Sequence, residues 1–135
     1  GGKVIFSSKD LPGELSDVLI FKDSIVTDRA DEVQGIVDAW YQVQDKYNKD
    51  SDSVVDLISP KAELTNDEFY SLLDGIDIAT KDYNKEVFAN NGEKMTSLVT
   101  KVANFLKDAD CIESVPSEDK IKASIVSTFV EAESK

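Results

Sequence analysis

The sequence predicts a helix-rich α/β domain, and three observations lead there. Two short apolar runs, Val4–Phe6 and Val18–Phe21, lie near the start of the chain. Apolar residues then recur at helical spacing in about five later stretches. The 135 residues are enough for one domain with its own core. Two strands are too few for a complete doubly wound sheet, so residues 1–135 are expected to form a single partial domain. Within it, residues 3–26 read as strand–loop–strand and residues 28–134 as the helical part.

Val18–Phe21 is apolar at four consecutive positions, which suits a strand covered on both faces. Pro12-Gly13 suits a type II turn, since Pro presets the backbone angle and Gly accepts the positive φ that follows. Around that turn Ser7, Ser8, Lys9, Asp10 and Asp17 gather hydrogen-bonding groups at strand ends, where open α/β sheets hold small ligands. The plainer reading of the same residues is a solvated loop between two strands.

Thr27-Asp28 offers an N-cap, with Asp31 in the first turn to complement the helix dipole. Val33, Ile36, Val37, Trp40, Val43 and Tyr47 then mark a long helix to about Asn48, with Trp40 in mid-stripe as a packing residue, in the core or against a neighbouring unit. Ser51 or Ser53 can cap the next helix, carried by Val54, Val55, Leu57 and Ile58 and stopped near Ser59-Pro60. Thr65 and Glu68 form a capping box for a helix holding Phe69, Leu72 and Leu73 and ended by Gly75. Between Ile76 and Asn91 the pattern is irregular: Ile76–Ile78 reads as a brief extended piece, and Tyr83, Val87 and Phe88 as a loop or single turn. Glu93–Asp108 is the most regular helix, with Met95, Leu98, Val99, Val102, Phe105 and Leu106 on one stripe. Ser117 caps a last helix whose Ile121, Ile125, Phe129 and Val130 face inward.

Composition narrows the function. With 27 acidic and 15 basic residues the net charge is −12, which repels phosphate backbones and anionic lipid, so neither nucleic acid nor a membrane surface is an expected partner. There is no His, which removes His-activated nucleophiles, His-based zinc sites and a His general base. A single Cys, Cys111, excludes an internal disulfide and a cysteine metal cage. No glycine-rich phosphate loop is present, and Asp50–Ser53 lacks the Gly and closing Glu of a calcium loop. Neither an enzyme nor a cofactor is expected.

The run G-K-V-I-F-S-S-K-D-L-P-G-E-L-S-D-V-L-I-F, continuing through D-R-A-D-E-V-Q-G-I-V-D-A-W, resembles the later part of substrate-binding proteins of ABC importers, of the nitrate/sulfonate/taurine type and its thiamine-precursor-binding relatives. Ser8, Pro12, Gly13, Asp17, Ala39 and Trp40 fall on that pattern. Ala30 departs from it, since the family commonly has Pro at the first turn of the helix. The resemblance is sharp over about the first forty residues and diffuse beyond.

It implies the C-terminal portion of a type II periplasmic-binding-protein fold, with a signal peptide and first lobe upstream of the opening Gly1-Gly2. It further implies an extracytoplasmic protein that closes on a small polar or anionic solute (a sulfonate, nitrate, taurine or thiamine precursor) and delivers it to a permease. Ser8 is then the leading ligand contact, through its hydroxyl or backbone amide. Lys9, Asp10 and Asp17 follow, Asp17 to orient the turn or accept from an amine. Two alternatives stand beside it: an extracytoplasmic sensor domain on the same fold, and a pyrimidine-precursor synthesis relative, which the missing His disfavours. In isolation the chain is expected to pair with a second copy, because its apolar runs lack cover.

Overall fold

The computed structural model describes residues 2–11, 13 and 15–131. Seven α-helices follow one another among them: α1 (Asp23–Asp28), α2 (Ala30–Lys49), α3 (Ser51–Ile58), α4 (Asn66–Leu73), α5 (Lys81–Asp108), α6 (Glu118–Ala123) and α7 (Thr128–Glu131). Short 3-10 turns occupy Ser8–Asp10 and Ser59–Ala62. The helix-rich character expected from periodicity is therefore present.

The two strands are not: no residue among those described is in a strand. Val4–Phe6 and Val18–Phe21 have no regular secondary structure, and Asp23–Val26, expected to finish the second strand, belongs to α1. The physical reason is that a strand satisfies its backbone only through a ladder on another segment, and two short runs separated by a turn of 3-10 helix are too little to sustain one. Each helix, by contrast, closes its own hydrogen bonds.

Several boundaries differ from the sequence reading. Thr27 and Asp28 do not cap α2; they end α1, and Arg29 is the N-cap residue of α2. Arg29 pairs with Glu32 across the first turn, and that partner holds the Glu32 carboxyl below its usual range. Asp50, rather than Ser51 or Ser53, caps α3 by accepting the Ser53 backbone N–H at 3.2 Å. The Thr65–Glu68 box is formed: Thr65 N–H donates to Glu68 at 2.8 Å, and Glu68 N–H donates to the Thr65 hydroxyl at 3.3 Å. Residues 81–88, expected to form a loop or single turn, are helical, because Thr80 accepts the Tyr83 N–H and opens α5. The last helix divides into α6 and α7, with Ser117 capping the first as expected.

The core is small. Val33 and Tyr41 of α2, Val54 and Val55 of α3, Met95 and Ala103 of α5, Ile121 of α6 and Val130 of α7 are its buried apolar residues. Polar ties reinforce the helix contacts. Gln34 donates to the Phe129 carbonyl at 3.1 Å, linking α2 to α7, and Asn84 donates to the Tyr41 hydroxyl at 3.1 Å, linking α5 to α2. Tyr70 of α4 donates to Asp52 at the start of α3, at 2.5 Å.

α5 is broken at Ala89–Gly92, where Asn90, Asn91 and Gly92 take φ of 53°, 56° and 71°. Left-handed backbone costs an ordinary L-residue about 1–2 kcal/mol, and Asn and Gly bear it best, so Asn-Asn-Gly is the sequence suited to this break. Gly92 is buried, and a Cβ there would lie 2.5 Å from Ile125 Cγ2. The break thus sets Gly92 directly against Ile125, in the segment between α6 and α7. The Lys94–Glu86 ion pair spans it.

Candidate solute-binding loop

Ser7 stands at the N-cap of the first 3-10 turn in extended backbone, φ −145° and ψ 167°. Its N–H donates to the Asp10 carboxylate at 2.8 Å, and its carbonyl accepts the Asp10 N–H at 3.0 Å. Asp10 is therefore engaged in holding the turn. Ser8, Lys9 and Asp17 are exposed, and no hydrogen bond joins any of the three side chains to another among the described residues. The turn thus presents Ser8 and Lys9 together as neighbours, while Asp17 lies beyond Gly13 without contacting them.

Gly13 has φ of +79°, the value the third position of a type II turn requires; Pro12, the residue before it, lies outside the described residues. A Cβ on Gly13 would sit 3.2 Å from the Tyr83 hydroxyl, so the loop rests on the first half of α5. Ser16 donates to the Gly13 carbonyl at 3.4 Å.

Both flanks of this loop are apolar and open to solvent. Ile5 is 95 % exposed and Ile20 84 %, and Val4, Phe6, Val18 and Leu19 are also exposed. The same holds for part of α2. Val33, Val37 and Tyr41 turn inward, whereas Ile36, Trp40 and Val43 form a stripe rotated by roughly 90° from them and exposed to about half. Trp40 is therefore not in the core of this chain. Phe105 of α5, expected on an inward stripe, is 70 % exposed. The chain exposes 10595 Å², against roughly 7,000 Å² for a compact monomer of this mass.

A second concavity, about 690 Å³, lies between the second half of α5 and α6. It is lined mainly by amides and hydroxyls, among them Asn90, Asn91, Thr100 and Asn104. Sequence periodicity passed over these residues because they lie on the polar side of α5; the Asn-Asn-Gly run was the available signal. Its rim carries the Lys122–Glu118 ion pair at 2.6 Å, which keeps the Glu118 carboxyl below its usual range. Among the described residues no group of three or more His, Cys, Asp or Glu is placed to hold a metal. No helix among them is long and apolar enough to cross a membrane.

Comparison with protein families, with curated proteins and with solved structures returned no match.

Proposed function

We propose that this chain is the C-terminal part of a solute-binding component of an ABC importer, holding a small polar or anionic solute between two lobes outside the cytoplasm and passing it to a permease. The observation that carries the reading is a polar turn, with Ser8 and Lys9 exposed, set between two apolar segments that have no strand partner among the described residues. In the proposed whole, Val4–Phe6 and Val18–Phe21 become strands of a sheet completed by the first lobe, giving the type II periplasmic-binding-protein fold. Each then gains cover on both faces and a ladder for its backbone. The stripe Ile36–Trp40–Val43 packs on the same lobe.

In this arrangement Ser8 donates to an acidic head group and Lys9 supplies the compensating charge. Asp10 supports the turn rather than touching solute, since its carboxylate already accepts the Ser7 N–H. Asp17 opens the second strand and orients the loop.

The test uses the polypeptide that joins this chain to its first lobe. Calorimetry with taurine, nitrate, an alkanesulfonate and a thiamine-precursor pyrimidine identifies which solute binds. Ser8→Ala then weakens that binding by about 1–3 kcal/mol, the cost of leaving a buried partner unpaired. Equal affinity in parent and variant removes Ser8 from the site, and no binding of any of the four removes the solute class.

A further inference from the structure

The geometry points to Asn91 as a site of spontaneous covalent modification, deamidation through a succinimide, gated by opening of the break in α5. This goes beyond the proposed function and is independent of it. Asn91 precedes Gly92, the residue whose missing side chain gives its backbone nitrogen the freest approach to a neighbouring side-chain amide. Asn91 is exposed and lies in the left-handed stretch between the two halves of α5. Strained, solvent-facing backbone of this kind opens locally at less cost than the helices on either side.

The reaction needs only water. The Gly92 nitrogen attacks Asn91 Cγ and gives up its proton; the N–Cγ bond forms as the Cγ–Nδ2 bond breaks, and ammonia leaves. Water then opens the ring at one of its two carbonyl carbons, leaving aspartate or isoaspartate at position 91. The net change is gain of water and loss of ammonia.

The closed break holds this in check. Asn91 has ψ of 37°, which sets the Gly92 nitrogen on the far side of the Cα–C bond from the Asn91 side chain. Ring closure requires rotation about ψ, and that rotation cannot occur while Gly92 stays buried against Ile125. Deamidation therefore proceeds from the opened break, more slowly than in an unfolded chain. Its consequence is structural. Isoaspartate lengthens the backbone by one carbon beside Gly92, and either product adds a negative charge to a cleft lined by Glu93 and Glu118 and by Lys101 and Lys122. The packing of α6 on α5 is loosened, and the change is not reversed by refolding.

Incubation of the full chain at mildly alkaline pH, with and without urea, tests this by peptide mass analysis. The tryptic peptide Glu86–Lys94 is expected to gain one mass unit and split into two chromatographic forms, with fragmentation placing the change at Asn91. The native chain is expected to convert severalfold more slowly than the denatured one, and Asn91→Gln to abolish the gain. A peptide unchanged in the native chain after the denatured control has converted fully would overturn the proposal. Equal rates with and without urea would overturn the gating, and a gain persisting in Asn91→Gln would move the site. Converted protein is expected to show faster hydrogen exchange at residues 93–104; unchanged exchange there would overturn the structural consequence.

Discussion

Gly92 shows how much one residue can carry. Its φ of +71° is unfavourable for any side chain, and an added Cβ would meet Ile125 Cγ2 at 2.5 Å. Gly92→Ala therefore combines backbone strain with overpacking and is expected to cost about 2–4 kcal/mol in urea unfolding. Ile125→Ala in the same chain removes the clash but not the strain, so the double variant should lose less than the two single losses added together. Strict additivity of the two costs would mean that Gly92 and Ile125 do not meet. Ser59 illustrates the opposite case, a buried polar group made acceptable by its partner: its hydroxyl donates to Asn66 Oδ1 at 2.5 Å, and Asn66 in turn donates to Asp56 at 2.6 Å.

At the scale of the element, the helices depend on their ends. α4 is a short helix without a fully buried residue, so its capping box contributes a large share of what holds it. Glu68 accepts the Thr65 backbone N–H first and the hydroxyl second, and both bonds favour the ionised carboxylate and hold its pKa below the ordinary value of 4.5. A group with a lowered folded-state pKa contributes stability that is complete above its unfolded pKa and is lost as pH falls through the folded one. The contribution of Glu68 is thus present above pH 4.5 and disappears below it. The parent is expected to be more stable than Glu68→Gln near neutral pH, with the gap closing on acidification below that value. Denaturant midpoints taken across the range measure it, and a gap independent of pH would show that ionisation of Glu68 contributes nothing to the box. Glu86 shifts in the same direction through Lys94, so the ion pair across the break in α5 weakens over the same window.

The whole molecule is set by a mismatch between its apolar content and its core. Val4–Phe6, Val18–Ile20, the Trp40 stripe and Phe105 are open to solvent together. In the isolated chain, a second copy is the available cover. The net charge of −12 opposes that pairing, and salt screens the repulsion over about 10 Å at 0.1 M. Burying a few hundred Å² of apolar surface at about 25 cal/mol per Å² outweighs screened surface charge, so association is expected at moderate ionic strength. Light scattering should report a dimer that loosens at low salt and low concentration, and Ile20→Lys should shift it toward monomer. A monomer under all conditions would show that these surfaces tolerate water without a partner.

The sequence by itself determined the features whose physics is local. Thr65 with Glu68, Ser117 before α6 and the regular stripe after Gly92 each act within a few residues, and the helices they predict are present. The acidic balance and the missing His are likewise complete in the sequence. Tertiary structure decided the rest. Val18–Phe21 reads as a strand because its residues suit one, but a strand exists only where another segment offers a ladder, and none among the described residues does. Trp40 sits on an apolar arc of α2 wider than its neighbours cover, and which part is buried depends on where α3 and α7 happen to pack. At the candidate loop, residue type alone does not separate Ser8 and Lys9, which are exposed, from Asp10, whose carboxylate accepts the Ser7 N–H. The break in α5 had its signal in Asn90-Asn91-Gly92. Its necessity comes from Ile125, thirty-three residues away, whose side chain occupies the space a Cβ would need.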